Sequence, residues 1–539
     1  MCPYARGYVV GMRTFWKTAP LAALGAVAAH DLLQRKHAIL RNFPVLGHAR
    51  YWLETIGPEL RQYIVASNDE ERPFSRDQRR WVYASSKLQN NYFGFGTDND
   101  LEHTDGNVIV HHRTFGRAYP THGVVGQEAQ LPSAKILGGP RGRRHAFRPA
   151  SVVNISGMSF GSLSGRAIEA INRGAADVGC LHNTGEGAIS PYHRQGGDLV
   201  FQIGTAYFGC RDADGRFDAE RFAKNAADPQ VKMIEVKLSQ GAKPGQGGIL
   251  PAAKVSVEIA EARGIVPFVE CHSPASHSEF STPVGLLQFV ERLRTLSGGK
   301  PTGFKLAVGH PWEWFAIAKA MQATGILPDF IVVDGGEGGT GAAPLEFTNH
   351  VGAPMREALM LVHNTLVGLD LRSRVRVAAA GKIVTAFDIA RTLALGADWC
   401  NSARGFMFAL GCIQSMSCHT DKCPTGVATQ DRHRQAGLDP TDKSVRVHNF
   451  HRNTLLALKE LLAAAGLTHP AQLGPEHIIR RVSPVEVRSL GALYRFLEPG
   501  ELLHGHPEHA VFREFWASSR AESFEPPAKV ASLRSAKSR

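Results

Sequence analysis

The 539-residue sequence has no run of about 18 uncharged apolar residues, which excludes an ordinary membrane span. Cysteine is scarce: eight in so long a chain do not make a disulfide framework, and a reducing compartment is the default. No Cys-x2-Cys pair occurs, against a zinc ribbon or finger. Acid is missing from the two ends. Residues 1–50 carry seven Lys or Arg against Asp31 alone, and the last twelve residues carry four with no acid. The net charge of +12 therefore belongs almost wholly to the termini. A nucleic-acid binder sets its basic residues on a folded face, so nucleic acid is not an expected partner.

What remains is a nearly neutral body, and the 43 % hydrophobic content fits a sizeable core. From residue 151 short β-rich runs recur, each followed by a helix-like stretch. They are Val152–Ser156, Cys180–Asn183, Met233–Leu238, Pro267–Cys271, Gly303–Ala307, Asp329–Val333, Val375–Ala379 and Trp399–Ser402. Eight such alternations predict an α/β chain folded as a (β/α)8 TIM barrel. A doubly wound open sheet is the alternative, but no Gly-x-Gly-x-x-Gly turn follows the first run. Glycine is in excess at 55 residues, and the excess gathers after these runs, where backbone must approach a ligand closely.

The expected organisation is a basic, weakly apolar segment over 1–50, a mixed region over 51–150, the barrel over 151–432, a helical region over 433–517 and a disordered basic tail over 518–539. Helical periodicity appears over Asp31–Leu40, Pro58–Ala66 and Asn453–Ala465. The run Arg141-Gly142-Arg143-Arg144 reads as a solvated surface, and Cys2 as inert. Ala19–Ala29 is apolar behind a basic flank, too short to span. A cytoplasmic protein is expected, with peripheral contact to the inner face of a membrane admitted by that flank.

The sharpest chemical signal is Cys412, Cys418 and Cys423, spaced Cys-x5-Cys-x4-Cys with Pro424 behind the last. Three thiolates on one loop fit ligation of an iron–sulfur cluster lacking one iron. After the last two runs, Gly381-Lys382 and Ala403-Arg404 occupy the place where barrels commonly hold phosphate. Lys237, Lys243 and Lys305 lie at strand ends, where a buried ammonium needs an anion. With Gln240 they could clamp an oxo-dicarboxylate or balance a reduced flavin. Glu186 and Asp334 are candidate proton handlers on the same rim.

Longer motifs carry a resemblance. Ile155–Ser164 (ISGMSFGSLS), Asn183–Ala188 (NTGEGA), Lys237–Gly248 (KLSQGAKPGQGG), Gly338–Pro344 (GGTGAAP) and Ala409–Asp431 resemble the FMN-binding synthase domain of glutamate synthase, over about residues 150–432. The flanking regions resemble a stand-alone subgroup of FMN-binding glutamate-synthase-like proteins. The resemblance implies FMN lying along Ser156, Gly157, Met158, Ser159, Asn183, Thr184, Gln202, Lys305, Gly381 and Lys382. It implies a [3Fe-4S] cluster on Cys412, Cys418 and Cys423, and 2-oxoglutarate on Lys237, Gln240 and Lys243. Lys305, Glu186 and Asp334 are the catalytic candidates.

The implied activity is reductive amination of 2-oxoglutarate to L-glutamate. Electrons come from an external donor (a ferredoxin or a reductase subunit), and ammonia from solution or a glutaminase subunit. The full enzyme resembled has glutaminase and β-helical domains that have no counterpart here, so glutamine hydrolysis is not expected. Gln246 stands where the family usually has an acid, and Asp334-Gly335-Gly336-Glu337 departs from the usual loop. Two alternatives stand beside this reading: an N-methylglutamate-type synthase using another amine, and an electron-transfer module without amination. If Lys237, Gln240 and Lys243 pair with protein carboxylates, the electron-transfer reading gains.

Overall fold

The computed structural model describes residues 5–528 apart from 64–70, 92–93, 98, 117–129, 132, 134 and 505–506, together with residue 530. Cys2, the end of the 58–66 periodicity and the basic tail beyond 530 lie outside the described residues. Eight parallel strands close a barrel in sequence order. They are β1 (Val153–Ile155), β2 (His182–Asn183), β3 (Leu199–Ile203), β4 (Val231–Lys237), β5 (Thr302–Leu306), β6 (Phe330–Asp334), β7 (Arg376–Ala380) and β8 (Trp399–Ser402). The strands are almost wholly buried, because helices cover them outside and side chains fill them inside.

Seven of the eight expected runs are barrel strands; the run at Pro267–Cys271 is not. Only Cys271–His272 is extended there, paired antiparallel with Ile249–Leu250 outside the barrel. Phe268 is left-handed at φ 61°, and Val266, Phe268 and Val269 are all exposed, so the run turns most of its apolar side chains outward. The strand the sequence reading passed over is β3, whose Leu-Val-Phe-Gln-Ile is buried throughout.

The foot of the barrel is plugged by the region before it. Leu137 and Phe147 pair across a short hairpin, and Leu137 packs inside the barrel with Val200, Met233, Phe330 and Trp399. The basic run at 141–144 is not merely solvated, contrary to expectation. Arg141 donates to the Leu327 carbonyl, and Arg143 Nε lies 3.0 Å from Asp329 Oδ1. Arg294 Nε reaches Oδ2 of the same carboxylate at 3.0 Å, and Thr302 N donates to it at 2.9 Å. A fully buried Asp329 thus ties the plug, a barrel helix and β5 together.

Helical extensions flank the barrel on both chain ends. The long helix Pro440–Ala464 lies against Gly165–Val178, and Gly174 sits where a Cβ would come within 2.6 Å of Val447 Cβ. It also packs on Arg76–Ser86, whose start is fixed by a capping box between Ser75 and Gln78. The expected helix over 31–40 is broken. Ala5–Leu33 ends, the Gln34 side chain bonds the Asp31 and His37 carbonyls and the His37 N–H, and Ala38–Asn42 begins a new helix. Leu21 and Leu24 are exposed, and no helix among the described residues is long and apolar enough to cross a membrane.

The extensions also share a three-stranded antiparallel sheet, in which Val108–Val110 pairs with Ile478–Ser483 and that strand with Glu486–Ser489. The tail expected to be disordered from 518 starts out packed: Ser519 and Ala521 are buried, and Lys319 Nζ donates to the Ser519 carbonyl at 2.8 Å.

Removing the shared carboxylate should leave the partly buried Arg143 and the buried Arg294 without their common anion. Asp329→Asn is expected to cost about 3 kcal/mol, seen as a fall of several degrees in the thermal unfolding midpoint. An unchanged midpoint would show that the plug does not depend on this cluster.

Candidate functional site

The carboxyl ends of the strands carry the polar residues. After β1, Gly157 lies where a Cβ would stand 2.9 Å from Asn183 Oδ1 and 3.2 Å from Gln202 Nε2. Gly185, at φ 65°, lies where a Cβ would stand 2.7 Å from Ser159 N. Neither position tolerates a side chain, so the loops after β1 and β2 lie flat against one another beside the two amides. Thr184 Oγ1 accepts the Gln202 N–H at 3.1 Å. Ser156 N donates to the Ser402 carbonyl at 3.0 Å, and Met158 is buried.

Under these loops lies a carboxylate the sequence reading missed. Glu235, in mid-β4 and 1 % exposed, accepts from Asn183 Nδ2 at 2.9 Å and Gln202 Nε2 at 2.6 Å. Burial, only partly offset by Lys305, pushes its carboxyl above the usual range. The signal was present: an acid in the otherwise apolar Val-Lys-Met-Ile-Glu-Val-Lys run, two residues before Lys237 and so on the same strand face.

Lys237 and Lys305 are register neighbours on β4 and β5, both nearly buried. Lys237 Nζ bonds Glu186 Oε1 at 2.7 Å, and Lys305 Nζ lies 3.5 Å from Asp334 Oδ2. Burial opposes charge on Glu186, but Lys237, Arg263 and Lys305 outweigh it and hold the carboxyl below its usual range. Burial likewise opposes the Lys305 ammonium, and Asp334, Glu235 and Glu186 together hold it above the ordinary lysine range. Asp334 Oδ2 also accepts the Gly241 N–H at 3.1 Å, fixing the loop that bears Gln240 and Lys243.

Lys243 donates to the Gly247 carbonyl, and among the described residues neither it nor Gln240 is paired with a carboxylate. Of the three substrate candidates only Lys237 is so paired. Gln246 Oε1, in the same loop, is buried without a hydrogen-bond partner. His277 is structural: its ring bonds the Lys237 carbonyl and the Tyr207 hydroxyl.

At the ends of β7 and β8, Lys382 and Arg404 both approach one unanticipated ring. Arg404 Cζ is 4.5 Å and Lys382 Nζ 6.0 Å from the Phe74 centroid. Burial pushes Arg404 down to about 10. Lys382 is lowered by burial and by Arg404 and Arg72. Two cations brought to one ring at the ends of β7 and β8 suit a dianion, and a phosphate fits there. Gly381 keeps this turn tight, since a Cβ would sit 2.9 Å from Met355 Cβ. The Gly157–Gly185 cradle, the two amides and this cationic end together suit a flavin mononucleotide.

The loop bearing Cys412, Cys418 and Cys423 begins beside Arg404. The thiols share one buried cluster, and Cys418 is raised by burial and then by Cys423. Gln414, Met416 and Asp421 are all left-handed, a concentration of strain typical of ligand-binding loops. The loop is held from outside: Tyr83 Oη donates to the Cys412 carbonyl at 2.6 Å, and Gln414 exchanges hydrogen bonds with the Phe74 backbone. Lys254 Nζ donates to the Cys418 and Ala428 carbonyls at 2.8 and 3.1 Å, bringing a cation to the thiols. Among the described residues no group of three His, Cys, Asp or Glu is gathered tightly enough for a single ion. A polynuclear cluster, being larger, takes its thiolates further apart, and three thiols under nearby cations fit one.

Residues 141–468 match the family model described as the conserved region in glutamate synthase. The chain belongs to the glutamate synthase family. It is 38 % identical over 491 residues to the glutamate synthase large subunit-like protein YerD of Bacillus subtilis, covering 86 % of this chain and 93 % of that one. It is 34 % identical over 317 residues to the archaeal-type NADPH glutamate synthase of Thermotoga neapolitana, covering 58 % and 59 %. The NADPH glutamate synthase large chain of Bacillus subtilis is 35 % identical over 281 residues, only 17 % of its own length. Among solved structures a mandelate oxidase variant gives a TM-score of 0.39 at 15 % identity, over 71 % of this chain and 86 % of that one.

Burial pushes the Cys412 thiol up to about 12. In metal-free protein at pH 8 it should alkylate with iodoacetamide at roughly a thousandth of a free thiol's rate, read by mass spectrometry. Tyr83→Phe, which releases the loop's anchor, is expected to speed the reaction severalfold. Equal rates in both proteins would dismiss Tyr83 as a clamp.

Proposed function

We propose that this member of the glutamate synthase family is an FMN and [3Fe-4S] oxidoreductase that reductively aminates 2-oxoglutarate to L-glutamate. Ammonia comes from solution or a separate subunit, and electrons from an external donor protein. The observation that supports this most is that one end of the barrel brings together the Lys237–Glu186 and Lys305–Asp334 pairs, the Lys382–Arg404 cations and the three-cysteine loop. Bound there, FMN supplies a hydride and the cluster supplies electrons one at a time.

The chain's own residues do the rest. Lys243, free of carboxylates, takes one carboxylate of the substrate, and Lys237 takes the other once Glu186 yields it. Glu186 so released is a carboxylate, placed to take a proton from the nitrogen of the added ammonia and pass it to the hydroxyl, which leaves as water as the imine forms. Lys305, between Asp334 and Glu235, balances negative charge beneath the reacting centre.

One observation favours a second reading. Lys237 is already satisfied by Glu186, as it would be in an electron-transfer module that never binds an oxo acid. An anaerobic assay separates the two. The purified protein should hold about three irons per flavin. Its reduced flavin should reoxidise when 2-oxoglutarate is added with ammonia or with methylamine, the faster amine identifying the nitrogen source. Reoxidation with neither amine leaves the electron-transfer reading, and a protein without iron or flavin removes both.

A further inference from the structure

We propose that Glu235 is a positioning residue that sets which end of the Gln202 amide faces the ligand, and thereby selects a flavin ring carrying an imide N–H. The inference rests on the reading that FMN occupies this barrel end. The geometry fixes each amide in turn. Gly185 N–H, which can only donate, lies 2.9 Å from Asn183 Oδ1. The Asn183 oxygen is thereby assigned, and its Nδ2 is the group that meets Glu235 Oε1 at 2.9 Å. Glu235 Oε1 is therefore an acceptor, whether the carboxyl is ionised or carries a proton on its other oxygen.

Gln202, register neighbour of Glu235 across β3 and β4, approaches that same oxygen at 2.6 Å. Only its Nε2 can satisfy an acceptor, so Nε2 is spent on Glu235 and Oε1 is turned away from it. No hydrogen bond to Gln202 Oε1 is present among the described residues. Gly157 lies directly against both amides, where any side chain would crowd the edge they present. The pyrimidine edge of a flavin offers one donor, its N3–H, between two carbonyl acceptors. An amide that presents oxygen complements that donor; one free to turn would present its NH2 equally well. With Glu235 1 % exposed and both amides buried, an unsatisfied group here is costly, which makes the selection steep.

The test uses the full-length apoprotein titrated with FMN and with N3-methyl-FMN, followed by quenching of flavin fluorescence. The wild type should bind FMN at least about tenfold more tightly, the factor that one lost hydrogen bond commands. Glu235→Leu, which removes the acceptor, should bring the two affinities to within about twofold. Glu235→Gln, which keeps an acceptor oxygen, should preserve the preference. Preference retained in Glu235→Leu, or lost equally in Glu235→Gln, overturns the assignment. Should Glu235→Leu lack native far-UV circular dichroism, the wild type decides alone: equal binding of the two flavins overturns the assignment and a tenfold preference upholds it. A wild type that binds neither flavin overturns instead the FMN reading on which this rests.

Discussion

Two buried lysines side by side are the constraint around which the rest of this molecule is arranged. Lys237 and Lys305 are adjacent in register on neighbouring strands, in a barrel whose surroundings disfavour even one uncompensated charge. Three carboxylates from three places answer them: Glu186 after β2, Glu235 within β4 and Asp334 ending β6. Each then holds something else. Glu235 gathers the amides from β2 and β3, and Asp334 fixes the loop after β4. The geometry of the mouth follows from neutralising that pair.

The sequence made the barrel legible because strand and helix recur eight times. It misled where apolar content was taken for burial. Pro267–Cys271 and Leu199–Ile203 have similar composition, yet a left-handed Phe268 turns the first outward while the second closes the sheet. The fifty-residue interval in which β3 lies was the clue, being long for a single helix between strands. Asn183, Lys237 and Cys412 stood out because they lie on long motifs, and the structure brings Asn183 and Lys237 to the same barrel mouth. Phe74 and Glu235 were not: Phe74 lies far from the motifs in sequence, and Glu235 was overshadowed by the lysine two places on.

The region before the barrel serves both of its ends. Leu137 and the arginines at 141 and 143 close the foot, while Phe74, Tyr83 and the bonds to Gln414 brace the cation pair and the cysteine loop at the mouth. Composition suggested only a mixed region over 51–150. Structurally it is a strap, with its contacts divided between the two ends of the barrel.

The small sheet joining the extensions carries a further consequence for how the chain is made. Val108–Val110 pairs with Ile478–Ser483, about 370 residues downstream. On a ribosome that strand emerges long before its partner, at roughly 5–20 residues per second, and waits the better part of a minute with an unpaired edge. Three residues make a poor template for a stranger. The brevity of Val108–Val110 limits that exposed edge, and the sheet is a late clasp that closes only after the barrel between its strands has been made.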